Sequence, residues 1–409
     1  MPSDLTKTGQ EFAFAGILSP FDEAEFLGSI LGKQSLHIKG APSKFSTLIA
    51  WREVDFYLSR GGGNLSRVSV TNGPNCLPES SYTLPGVSGS PYIRAGELID
   101  LARGGATVVI EAGDEVFEGV AGANDAIAYK LEVPVSACVH ASWRRARTHV
   151  VLRDRDALVL QVAGQMECHT HRPALAPPSA PDCESTTVST AWIKQVMEQG
   201  DCIYVPRGWW YSSQPMDRSS LSLVFSFSNP TGLNLVERLV DQLRLTRIMQ
   251  VNCPRFSEAS VRSRFMTSVQ EELLRTCTAP GLSLGFTNDM RAMADPRKIL
   301  GVPWSMDHAA EAFPPDWYLI SRVQYSDSIF GSVAANGCEA FFEGTKLRLD
   351  ADEESMLLEL NRRGAVTIRE LTAQGAPGQS AIPRLVERGL AAIYPPGALR
   401  DIGMWTFNH

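Results

Sequence analysis

The stretch that most constrains how this chain can fold is Gly200-Asp201-Cys202-Ile203-Tyr204-Val205-Pro206-Arg207-Gly208-Trp209-Trp210-Tyr211. It reads as a Gly-Asp turn, a short buried strand, a Pro-Arg-Gly turn and an aromatic end. The segments around it carry the same kind of signal. Residues 133–140, 148–153, 157–162, 202–206 and 221–227 are short, apolar or alternating, and separated by turn residues. Several short strands at such spacing predict a barrel or sandwich.

On the N-terminal side, helix and strand signals alternate. A strand is expected at 35–40 and a helix at 45–58, where Phe45, Leu48, Trp51, Val54 and Leu58 recur at helical spacing. Strands are also expected at 67–70 and 105–110, and a short helix at 97–102. Residues 172–190, rich in Pro, Ser and Thr, are expected to form a long surface loop. After Pro230 the period changes to 3.6. Leu235, Val236, Leu239, Val240 and Leu243 form one apolar face, and helical segments continue to about Leu300. The last unit, from about residue 313, has three short helices and a strand ribbon. Thr367 and Glu370 form a capping box at the second helix. This order is winged-helix-like. Yet residues 350–400 hold six Arg, no Lys and seven acids. A winged helix that reads DNA should be basic, so this unit is expected to be structural or to contact protein. The division is 1–232, 233–312 and 313–409.

The 409 residues and their net charge of −7 give no global attraction for nucleic acid or an anionic membrane. There is no apolar run of about 18 residues. The first residues lack a basic region followed by an apolar one, so no signal peptide is expected. The eight cysteines are scattered and none forms a CxxC pair. Free thiols in a reducing cytoplasm are the expectation.

Four stretches, 105–110, 156–164, 200–211 and 219–231, together resemble the bacterial ribosomal-oxygenase branch of the JmjC/cupin superfamily, across nearly the whole chain. The resemblance implies an α+β chain: a double-stranded β-helix barrel, a helical dimerisation region and a winged-helix-like C-terminus. The implied activity is Fe(II)- and 2-oxoglutarate-dependent protein hydroxylation. Such chemistry needs two His and one carboxylate on one face of the metal. The resemblance puts the first His on Val151, the carboxylate on Arg153, the second His on Tyr211 and the 2-oxoglutarate lysine on Met166. None of these side chains serves that role. A guanidinium repels a metal cation.

From this follows the expectation of a pseudo-oxygenase with no iron or 2-oxoglutarate cofactor, whose barrel binds a peptide, a protein or an acidic ligand. A divergent enzyme using other residues is the alternative, and a winged-helix regulator a third. Pocket candidates are Arg153, Tyr211, His149, His140, Val151, Met166, Trp209 and Trp210. Arg153 is either ion-paired to a buried acid such as Glu167 or Asp201, or part of an anion site. His149 with His140 could form an inner metal site, and outward-facing His169 with His171 a surface one. The apolar stripe Leu235, Leu239 and Leu243 suggests a homodimer, or a heterodimer with an active relative.

Overall fold

The computed structural model describes residues 13–60, 65–86, 91–146, 149–172, 193–216, 218–280, 282, 286, 300–306, 313–323, 338–342, 345–373, 379–396 and 398. Most of the expected loop 172–190 lies outside the described residues. Fourteen strands precede the middle helices. They are β1 (Leu36–Ile38), β2 (Val68–Asn72), β3 (Asn75–Cys76), β4 (Thr83–Pro85), β5 (Pro91–Ile93), β6 (Thr107–Ile110), β7 (Val135–Ser142), β8 (His149–Leu152), β9 (Asp156–Ala163), β10 (Met166–His171), β11 (Ile193–Met197), β12 (Cys202–Val205), β13 (Trp210–Pro215) and β14 (Ser220–Phe227). Eight form one sheet in the order β1-β12-β9-β14-β7-β6-β2-β3, and four form a second in the order β11-β10-β13-β8.

Every pairing in these two sheets is antiparallel. The sheets are not closed on each other, so the expected barrel is a sandwich. A closed barrel needs a continuous ladder around its circumference. Here the chain passes from one sheet to the other through turns, such as Pro206–Trp209 between β12 and β13.

Period-2 alternation decides which side chains go where. On β9, Leu158, Leu160 and Val162 face outward into a core shared with Leu221, Leu223, Phe225 and Phe227 of β14 and Ala137, Val139 and Ala141 of β7. The helix Glu118–Leu131 covers that face with Val120, Ala123 and Ile127. The opposite faces of the same strands look into the sandwich. There Ala157, Val159, Ile203, Val205 and Val224 meet Met166, Cys168, Met197, Trp209 and Tyr211.

The constraining stretch is itself pinned by polar contacts. Gly200 has φ +94°, and a Cβ there would meet the carbonyl oxygen of Ala41 at 2.0 Å, so only glycine fits. Asp201 accepts hydrogen bonds from the Gly40 and Glu198 N–H groups at 3.0 Å each and pairs with His37 Nε2 at 2.9 Å. Its charge holds the β1 edge against the turn.

The helix Gly232–Arg244 turns inward the stripe Leu235, Leu239 and Leu243 that its pattern suggested for a dimer. Leu243 is buried and Leu235 and Leu239 are half-buried, because the helix packs on Ala259–Cys277. Leu233, Val236 and Val240 stay exposed, at 66%, 52% and 42%. The C-terminal part contains β15 (Tyr318–Ser321), β16 (Cys338–Phe342), β17 (Thr345–Leu349), β18 (Val366–Thr367) and β19 (Ala391–Tyr394). Sheet β18-β15-β19 packs with the helices Ala351–Arg363, Ile368–Ala373 and Ile382–Glu387 around Leu319, Met356, Leu360, Leu371, Leu385 and Ile393. Among the described residues no helix is long and apolar enough to cross a membrane.

Candidate ligand site in the sandwich

The inward faces of β7 and β14 are unusually polar for central strands. β7 presents Ser136, Cys138, His140 and Ser142, and β14 presents Ser220, Ser222 and Ser226. The register sets His140 opposite Ser222 and Ser136 opposite Ser226. Across the sandwich, Val151 of β8 lies opposite Tyr211 of β13. Arg153 continues that inward face two residues on. Its N–H donates to the Trp209 carbonyl at 2.9 Å, and its own carbonyl accepts from Gly208 N–H at 2.7 Å. A residue that the sequence aligns with the iron ligands is thus locked by backbone bonds to the turn of the constraining stretch.

The interior has two ends of different character. Around Val159, Cys168, Met197 and Ile203 it is closed, with exposures of 0–2%. On the β7 and β8 side, Cys138, His140, Val151 and Arg153 are each only half-buried. The guanidinium of Arg153 lies at this open end. One Nη donates to Ser226 Oγ at 2.9 Å. Its buried Nε has no hydrogen-bond partner. Arg155 lies alongside, donating to Ser136 Oγ and the Ser226 carbonyl at 2.9 Å each.

Neither acid expected as a partner reaches Arg153. Glu167 pairs with Lys194 and with His169 at 3.2 Å, and Asp201 is held by β1. Among the described residues no carboxylate forms an ion pair with Arg153. Burial lowers its pKa, opposed first by Tyr211 and then by Asp154, but a guanidinium stays charged across physiological pH. His140 is pushed down to about 4, first by burial and then by the Arg153 charge. It is therefore neutral at pH 7. Burial first, then Cys168, raises Tyr211 well above the ordinary phenol value. Its hydroxyl lies 3.6 Å from Cys168 Sγ, and burial raises that thiol to about 12. At neutral pH Arg153 and Arg155 bring positive charge to the open end; Asp154 acts on Arg153 through space, but no described carboxylate forms an ion pair with it.

Met166 sits in the closed apolar cluster, and Trp209 borders it. Trp210 is buried on the other face of β13, opposite His171. His149 lies in β8 opposite Ser213, and its side chain lies outside the described residues. His169 faces outward, paired to Glu167. Ser226, Cys138 and Arg155 complete the open end and were not anticipated. The polar alternation of Ser136-Cys138-His140 and Ser222-Ser226 in otherwise apolar strands was the available signal.

The donor set does not fit a divalent metal at the positions the resemblance assigns. They offer an isopropyl group, a guanidinium and a phenol kept protonated by burial, and no imidazole or carboxylate. No group of three His, Cys, Asp or Glu that could hold a metal occurs among the described residues.

A JmjC domain family model matches residues 125–235. Among curated proteins none matches. Among solved structures, Escherichia coli YcfD matches with a TM-score of 0.58 at 15% identity, over 92% of this chain and 99% of that one. The YcfD ribosomal oxygenase in complex with cobalt and 2-oxoglutarate matches at 0.55 and 14%, over 91% and 98%. Its complex with cobalt and succinic acid matches at 0.54 and 14%, over the same shares. The expectation of no cofactor is overturned by these complexes, in which YcfD holds cobalt together with 2-oxoglutarate or succinic acid. Reading four replaced side chains as the loss of every cofactor overlooked that a cation facing the interior can itself receive a carboxylate. The two comparisons agree: residues 125–235 match the JmjC domain model, and they lie in a fold that this chain shares with YcfD along nine-tenths of its length.

Proposed function

We propose that this chain is a JmjC-type protein whose sandwich interior binds a carboxylate-bearing ligand, an acidic peptide or protein segment or a small dicarboxylate. Arg153 is the residue that would receive it. One observation carries the reading: the Arg153 guanidinium faces the open end with an unpartnered buried Nε and no ion-paired acid among the described residues. A buried cation without a counter-charge is costly. An incoming carboxylate relieves that cost, and a planar fork of donors matches its geometry. Tyr211, on the same face, is kept neutral and able to donate. The 2-oxoglutarate and succinic acid in the YcfD complexes support a dicarboxylate as the first probe.

The test is calorimetric titration of the full chain with succinate, 2-oxoglutarate and a short glutamate-rich peptide. Saturable binding of at least one is expected, with a loss of tenfold or more in Arg153→Met, since hydrogen bonds to charged groups contribute about 1.5–3 kcal/mol. Unchanged affinity in that variant, or no binding by any of the three, would sink the reading.

A second reading concerns assembly. The exposed row Leu233, Val236 and Val240 on the helix Gly232–Arg244 supports an interface with a second copy within 233–312. The units 1–232 and 313–409 belong to the same proposal, the last as a winged-helix-like module for protein contact.

A further inference from the structure

We propose that a cleft outside the sandwich, at the turn between β12 and β13, is a binding site for the phosphate group of a small molecule. The cleft has a volume of about 370 Å³. Lys33, Arg172 and Arg207 reach its wall from three segments far apart in sequence, and among the described residues Asp156 is the only acid there. Three cations against one carboxylate leave an excess of two positive charges.

Asp156 forms no ion pair with any of the three among the described residues, because its oxygens accept from neutral donors. It accepts from the Tyr204 hydroxyl, from the Arg207 backbone N–H at 3.3 Å and from Asn229 Nδ2 at 3.3 Å. It is buried in the cleft wall. The guanidinium groups of Arg172 and Arg207 form no ion pair among the described residues. Lys33 gives one of its three donors to the Gly28 carbonyl at 2.5 Å and keeps the others.

Like charges gathered in a confined, partly low-dielectric space repel one another unless an anion sits between them. Two further features favour an anion. The helix Gly232–Arg244 begins at Thr231 in the same wall, with no acid in its first turn, so its N-terminal partial positive charge adds to the field. Gly208, with φ +81°, brings bare backbone to the cleft surface.

A single carboxylate would leave one positive charge unmatched, whereas a phosphate monoester near pH 7 carries close to two negative charges. The enclosed size suits a small molecule. The chain's net charge of −7 disfavours an extended polyanion. This site is separate from the Arg153 pocket, which lies on the inner face of the sheets.

The experiment is calorimetric titration of the full chain with inorganic phosphate at fixed ionic strength in a chloride background. One saturable site is expected. Arg207→Met and Arg172→Met should each weaken it tenfold or more, and Lys33→Met several-fold. Arg153→Met should leave it unchanged. Lys33→Met, an exposed position, keeps the test decisive if an arginine variant is lost on expression. The proposal is overturned if phosphate gives no saturable binding, if the three cleft variants bind like the parent, or if Arg153→Met is the variant that abolishes binding.

Discussion

Arg153 and His140 face each other across the open end of the sandwich, and their charges are coupled. Burial and then the Arg153 field hold His140 near 4 in the folded chain, against about 6.5 in an unfolded one. Between these values the unfolded chain binds the extra proton. This contribution to stability is therefore complete above about pH 6.5 and is lost as pH falls toward about 4. Among the described residues Arg153 is the one charge acting on His140, while Glu111 and Asp114 act on Cys138, two residues before it on the same strand. Chemical denaturation at pH 7.5 and pH 4.5 should show His140→Gln losing roughly 2–3 kcal/mol less stability on acidification than the parent. Equal losses would remove His140 from the account. At this scale the sequence made Arg153, Tyr211 and Val151 legible, because strand alternation fixes which residues share a face. It did not make Ser226 legible as the partner of Arg153. That contact joins residues 73 apart in sequence and depends on how two sheets stack.

Among the elements, the helix Gly232–Arg244 shows how a pattern can be read correctly and its face misassigned. Its apolar residues cover more than half a turn, so one edge packs and the other stays open. Leu243 is the buried end of the packed edge, and Leu243→Ala should cost about 2–4 kcal/mol in a denaturant melt. Leu233→Asp and Val236→Asp lie on the exposed edge and should leave that stability within about 0.5 kcal/mol. In the C-terminal part, four of the six arginines of residues 350–400 are ion-paired locally. Arg384 and Arg388 meet Glu353, Arg384 meets Asp350, and Arg362 and Arg363 meet Glu359. Charges neutralised in this way leave little field for a phosphate backbone. Glu353 is 3% exposed and also accepts the Asp350 N–H at 3.1 Å as the far half of a capping box. Glu353→Ala should destabilise the chain by about 2–4 kcal/mol, since it removes a cap and strips a buried partner from Arg388. A change below about 0.5 kcal/mol would show that Arg388 finds solvent instead.

For the whole molecule, the open edge of the middle helices predicts association. Light scattering at micromolar concentration should give a mass near twice 44.7 kDa. Leu233→Asp combined with Val236→Asp should return it to one chain while the melting curve of each chain is retained. A monomeric parent would rule out the self-association reading. The sequence by itself determined the strand-rich centre, the turn at Gly200, the outward and inward faces of β9 and β14, and the capping box at Thr367, where Thr367 N–H donates to Glu370 at 3.0 Å. These are local: propensity, alternation and glycine sterics act within a few residues. Other features only the tertiary structure decided. The helix Glu118–Leu131 carried no strong periodic signal, because its buried side is built from Ala, Val and Ile packed on a sheet. The open rather than closed sandwich, the lack of an ion-paired acid at Arg153 among the described residues and the meeting of Lys33, Arg172 and Arg207 at one cleft are sums over distant segments. No spacing rule in one dimension encodes the three-dimensional distance between charges that the chain brings together last.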